Sequence, residues 1–227
     1  VLLNFSGTLE DAFTLAHELG HSMHSYFSDH AQDYPNHDYR ILVAEVASTV
    51  NEVLLTKYLL RNELDPKRRA YILNHFLEGF RTTVFRQTLF AEFERRTHDL
   101  YQSGEPLTAE TLCKVYRELN DLYYAGAVNN ELQDVEWARV PHFYTAFYVY
   151  QYATGFCSAV AIAAQILESG DASRYLTFLR TGGSMYPIDE LKLAGVDLTQ
   201  PETVRRALAV FSDSLEEFEK LLTGLKQ

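Results

Sequence analysis

His17-Glu18-Leu19-Gly20-His21 constrains this chain more than any other stretch. Side chains four residues apart stack on one face of an α-helix, because a turn takes 3.6 residues. Two imidazoles at that spacing reach a common point, and a carboxylate one residue after the first is displaced to the side. The segment must therefore be helical if the histidines act together. Thr8-Leu9-Glu10-Asp11 supplies the start, with a threonine N-cap and acidic residues in the first turn. Phe13, Leu15, Ala16, Leu19 and Met23 are expected to form the apolar surface of a buried helix.

Two histidines converging this way bind zinc readily, at about 2.0–2.1 Å from each nitrogen. The bland alternative is a pair of core histidines bonded to carbonyls, which would not require a glutamate between them. A catalytic zinc takes three protein ligands and keeps one position open. The third ligand is sought on a neighbouring helix, and Glu45 is the candidate. It lies in Ile41-Leu42-Val43-Ala44-Glu45-Val46-Ala47, where a buried carboxylate would need a cation. Glu52 follows seven residues on, along the same face. It reads either as an acceptor orienting a ligand imidazole or as an ordinary surface carboxylate. His24 would close the site as a fourth ligand and is read as a neighbour only. The Glu18/His21 pair also fits half of a di-iron carboxylate motif, but the chain contains no second Glu-x-x-His.

The chain resembles the oligoendopeptidase F family of thimet-oligopeptidase-like zinc metallopeptidases. The resemblance runs from Leu9 to His24, through Glu45 and Glu52, then through Val140-Pro141-His142-Phe143-Tyr144 into Phe147-Tyr148-Val149-Tyr150-Gln151-Tyr152-Ala153-Thr154-Gly155. It continues from Gly182-Gly183-Ser184 to Ala194-Gly195-Val196-Asp197-Leu198. It implies one zinc ion per chain held by His17, His21 and Glu45, with Glu18 as catalytic general base. It implies that His142 and a tyrosine, Tyr150 being the best match, stabilise the oxyanion, while Tyr144, Tyr148 and Tyr152 are further cleft candidates. The substrates implied are short peptides cut internally. Family members are much longer, so residues 1–227 are expected to be the C-terminal catalytic part of a longer protein. Two other readings stand beside this one: a zinc-binding helical fragment inactive without its missing half, and a zinc carboxypeptidase. A binding module whose histidine helix is merely structural is a further alternative.

The 227 residues suffice for a substantial core, and the apolar fraction of 47% is that of a soluble globular protein. A net charge of -11 argues against nucleic acid as a partner. No membrane-spanning stretch is visible, and oligomeric state is not encoded in any pattern. Two cysteines, Cys113 and Cys157, make no disulfide framework and suit a reducing cytoplasm.

The expected fold is all-α with one short N-terminal strand at Val1–Phe5, an edge that in the family would hold substrate by backbone pairing. Helices are expected from about Leu9 to His30, Tyr39 to Asn62, and Asp65-Pro66 to Gln102. Others are expected from Thr108 to Ala125-Gly126, Pro141 to Glu168, around Arg174 and Asp189, and from Pro201 to the C-terminus. Gly182-Gly183-Ser184 reads as a flexible turn, with a possible hold on substrate backbone.

Overall fold

The computed structural model describes residues 1–125, 127 and 130–225. Among them are nine α-helices and no strand: α1 Leu9–Ala31, α2 Ile41–Asn62, α3 Pro66–Gly79, α4 Arg86–Gln102, α5 Ala109–Tyr123, α6 Tyr150–Ser169, α7 Ser173–Leu179, α8 Pro187–Leu193 and α9 Glu202–Leu225. The all-α expectation holds, and the N-terminal strand does not. Residues 1–6 have no regular structure, because a strand is stabilised by pairing and no described residue offers a partner strand.

The chain forms two compact units, one of residues 1–80 and 154–227 and another of residues 81–153. In the first, α2 is the central element. Val43, Val46, Ala47 and Val50 are buried against Ala159, Ala161 and Ile162 of α6, Phe178 and Leu179 of α7, and Leu191 of α8. Each large side chain so buried contributes roughly 1.5–3 kcal/mol. That burial on several sides explains the apolar run Ile41-Leu42-Val43-Ala44 and Val46-Ala47 that opens α2. A second cluster joins Leu60 of α2 and Ile72 and Leu73 of α3 to Phe218 and Leu221 of α9.

Helix α1 begins where the sequence predicts. Thr8 accepts from the Asp11 N–H, and the Asp11 carboxylate accepts from the Thr8 N–H at 2.8 Å. Its buried face differs from the expected one. Phe13, Gly20, His24 and Ser28 are inside, whereas Leu15, Leu19 and Met23 are 37–47% exposed. At Gly20 the reason is the close approach of α2. A Cβ on Gly20 would stand 2.5 Å from the Ser48 Cα and 2.8 Å from the Ala47 carbonyl oxygen. Elsewhere on that face His24 is buried against Tyr39 and Phe178, and Ser28 donates to the His37 carbonyl.

The second unit packs Leu89, Phe90 and Phe93 of α4 against Tyr116 and Leu119 of α5, with Val140 and Val149 completing the cluster. Its surface carries ion pairs, including Arg86 and Arg139 sharing Glu136, and Arg117 with Asp134. The predicted long helix to Gln102 is interrupted by a π-helical segment at Phe80–Phe85. The predicted end of α5 near Ala125-Gly126 lies partly at Gly126, outside the described residues, and the helix itself stops at Tyr123. The last residues of the predicted C-terminal helix, 226 and 227, also lie outside them.

The helix expected from Pro141 to Glu168 is two elements. A 3-10 turn covers Pro141–Tyr144, residues 145–149 are irregular, and α6 starts only at Tyr150. Phe147 has φ +57°, a left-handed conformation incompatible with continuing the helix. Gly182-Gly183-Ser184 is a tightly packed turn, not a flexible one. The Gly183 N–H donates to the Asn36 carbonyl at 2.8 Å, and a Cβ there would stand 2.5 Å from the Asp38 carbonyl oxygen.

Both cysteines are free, and burial pushes the Cys157 thiol up to about 12. No helix among the described residues is long and apolar enough to cross a membrane.

Candidate metal centre

Helices α1 and α2 bring His17, His21 and Glu45 together. The His17 and His21 Nε2 atoms are 3.1 Å apart, and Glu45 Oε2 lies 3.4 Å from the first and 3.7 Å from the second. A tetrahedral ion with bonds of about 2.0–2.1 Å needs ligand atoms about 3.3–3.4 Å apart. The three separations bracket that value, so the donor set fits such an ion in both chemistry and spacing. No other group of three or more potential ligands occurs among the described residues.

The ring of His17 is oriented from behind. Its Nδ1 is 2.5 Å from Glu52 Oε1, so Nδ1 carries the proton donated to that carboxylate and Nε2 is left to face the other donors. Of the two readings of Glu52, the structure supports the orienting acceptor. Asn51, beside it, donates to the Ala16 carbonyl at 3.2 Å and ties α2 to the turn before His17. Ser48 donates to the Glu45 carbonyl at 3.0 Å, and its hydroxyl lies 3.4 Å from Glu45 Oε2.

Electrostatics follow from this geometry. Glu45 and then Glu52 raise His17 to about 10, against a smaller opposing effect of burial. His17 in turn holds the Glu45 carboxyl below the usual range. A proton and a metal ion thus compete for His17 Nε2, which the two carboxylates make a strong site for either. Glu45 is 36% exposed at its side chain and both histidines 28%, so the centre is open to solvent. The expectation that Glu45 is a buried charge is not met. It is at a helix surface beside the pair. His24 is no part of the group. It is fully buried, its ring stacked 3.6 Å from that of Tyr39, and burial pushes it down to about 4.

Across this centre the chain matches peptidase family M3 over residues 1–210. The chain belongs to that family. Oligopeptidase PepF of Bacillus subtilis (strain 168) is 53% identical over 230 residues, an alignment that takes in 100% of this chain and 34% of that relative. An oligoendopeptidase F homolog of Lactococcus lactis subsp. lactis (strain IL1403) is 47% identical, covering 98% of this chain and 37% of its own length. The crystal structure of oligoendopeptidase F from Enterococcus faecium superposes with a TM-score of 0.86 at 47% identity, over 95% of this chain and 40% of that one. The chain thus spans little more than a third of the curated relatives it matches.

In the other unit, His142 meets two tyrosines. Its ring is stacked 5.4 Å from Tyr148 and edge-on 5.6 Å from Tyr152, whose hydroxyl lies 3.1 Å from His142 Nε2. Tyr148 and Tyr152 are 5.5 Å apart, closing the cluster. Tyr150 opens α6 at 44% exposure, and Tyr144 is 91% exposed. Sequence reasoning missed Gly20 and Asn51 as positioning residues for the metal centre. A glycine inside an otherwise strong helix former is the signal that could have found the first.

Proposed function

We propose that this chain is the catalytic part of a zinc endopeptidase acting on short peptides, with His17, His21 and Glu45 holding one zinc ion. The observation that carries the reading is the convergence of three donor atoms at separations of 3.1, 3.4 and 3.7 Å. Zinc, when bound, supplies a Lewis acid that polarises a carbonyl and lowers the pKa of water to about 7. Glu18, half-buried on α1 between the two histidines, takes a proton from the attacking water and delivers it to the leaving amine. Glu52 keeps the proton of His17 on Nδ1, so that Nε2 stays available. His142 and Tyr150 donate to the developing oxyanion. One such donor is typically worth about 3–4 kcal/mol. The family resemblance supports that last role, as does the supply of N–H and O–H donors around His142. No covalent intermediate is required. The free thiols of Cys113 and Cys157 suit work in a reducing cytoplasm.

The test compares Glu18→Gln with His21→Ala, for zinc content and for cleavage of a quenched peptide, in the longer protein and in residues 1–227 alone. Glu18→Gln is expected to keep zinc and lose activity, and His21→Ala to lose both. Ordinary turnover by Glu18→Gln would remove Glu18 from its role. Product mapping on an end-blocked peptide separates an endopeptidase from a carboxypeptidase.

A further inference from the structure

The segment between His142 and α6 is held in an uncommon conformation by one buried carboxylate. Phe147 is the only non-glycine residue with positive φ among the described residues, at +57°. Bulky side chains avoid that region because Cβ crowds the carbonyl that follows. Its N–H donates to Glu94 Oε1 at 2.6 Å, across 53 residues of sequence. Glu94 is 4% exposed, on α4, an expensive place for a carboxylate that only held a helix together. The Phe147 ring rests 4.7 Å from that of His98, whose Nδ1 sits 2.8 Å from the Glu94 carbonyl oxygen one turn earlier. On either side the segment is anchored in the core. Phe143 packs against Phe90 and Phe93 at 5.8 and 5.4 Å, and Val149 is fully buried. The chain therefore reverses at Phe147 between two fixed points, and that reversal is what returns Tyr148 and Tyr152 to the His142 ring.

We propose that Glu94 is a positioning residue for peptide hydrolysis. By accepting the Phe147 N–H it locks residues 145–149 in the left-handed turn that assembles His142, Tyr148 and Tyr152 into one cluster. The inference rests on the proposed function for its catalytic consequence, but not for the lock itself. Backbone conformations of this kind persist only where surrounding structure imposes them, and they gather at functional sites. A carboxylate is suited to the task because a charged acceptor binds an N–H more strongly than a neutral one. The lock needs only an acceptor at the Oε1 position, so glutamine can replace glutamate and leucine cannot.

Hydrogen exchange at the Phe147 amide reads the lock without reference to activity. Glu94→Leu should abolish its protection, and Glu94→Gln should retain most of it. Steady-state cleavage of a quenched peptide by the longer protein reads the consequence. Glu94→Leu should lower kcat by roughly 10–100-fold, as expected for donors misplaced by about an ångström. KM should change less than threefold and zinc content not at all, and Glu94→Gln should recover kcat to within about threefold. Phe147→Ile attacks the same turn from an exposed position and should reproduce the kcat loss, which covers the case in which Glu94→Leu does not fold. Unchanged amide protection in Glu94→Leu overturns the proposal, as does a Glu94→Gln variant as impaired as Glu94→Leu. Lost protection with unchanged kcat in an active enzyme overturns the positioning role alone. An inactive wild type that still shows the exchange pattern counts against the proposed function and leaves the lock standing.

Discussion

The two regions with candidate chemistry are built by opposite means. The metal centre stands on two regular helices whose spacing does the positioning, with α1 presenting two imidazoles a turn apart and α2 presenting Glu45 and Glu52 two turns apart. The His142 cluster stands on a 3-10 turn, an irregular stretch and a left-handed phenylalanine. In the first region a side chain's place follows from its number in the helix. In the second it follows from contacts with α4, made by residues some 50 positions earlier. A helical site should therefore fail when the helices are pushed apart, and an irregular one when its long-range tether is cut.

The largest effect is expected at Gly20. In Gly20→Ala the new methyl meets α2 backbone, 2.5 Å from the Ser48 Cα, and backbone cannot rotate away as a side chain can. Separation of α1 from α2 should destabilise the protein by about 1–3 kcal/mol. It should also abolish stoichiometric zinc, measured by metal analysis after dialysis, while the His142 cluster retains its amide protection. Tight zinc binding by Gly20→Ala would show that the helices are free to adjust. Next is the cluster itself. His142→Ala and Tyr150→Phe should each lower kcat by roughly 10²-fold or more with zinc fully bound. If Tyr152→Phe does so and Tyr150→Phe does not, the donor is the tyrosine that touches His142 and the assignment moves.

Glu52→Gln tests how much of the metal centre lies behind its ligands. Replacing the charged acceptor of His17 Nδ1 should weaken zinc affinity about 10–100-fold, by competition with a chelator. An unchanged affinity would make Glu52 a bystander.

The smallest effects concern two buried groups of the unit that holds the candidate metal centre, His24 and Glu190, whose side chains have no hydrogen-bond partner among the described residues. Burial holds His24 at about 4, below its ordinary 6.5, so the unfolded chain binds its proton first. Stability from His24 is complete above about 6.5 and is lost as pH falls toward 4. Burial raises Glu190 from 4.5 to about 7, partly countered by Arg40, so its contribution is complete below about 4.5 and is lost as pH rises through 7. The two slopes oppose one another between about 4.5 and 6.5. In urea titrations, His24→Phe should expose a stability that falls with rising pH, and Glu190→Leu one that rises, each by about 1–3 kcal/mol. Identical pH profiles in both variants would mean that neither group is the one titrating.

The candidate metal-ligand triad was legible because each part has a local signature. Two histidines at i and i+4 after a threonine cap need no knowledge of the rest of the chain. Glu45 was found because a carboxylate in an apolar helix calls for a partner, although its premise of burial was wrong in detail. The buried face of α1 was misread because hydrophobicity alone marks Leu15, Leu19 and Met23 as inside. The face that α2 approaches is instead marked by smallness, at Gly20. The supposed helix from Pro141 to Glu168 was misread because nothing near Phe147 in sequence announces a left-handed residue. Its cause is the carboxylate of Glu94.

By itself, the sequence determined the helical class, the capped start of α1, the candidate ligands and membership of the family whose pattern they share. All of these depend on neighbours within a few turns, or on residue types that tolerate few environments. Tertiary structure alone decided how closely α1 meets α2, which orients His17, and which tyrosines meet His142. Those outcomes rest on contacts between residues tens of positions apart, where the balance of packing space and hydrogen-bond satisfaction is struck only once the chain has folded.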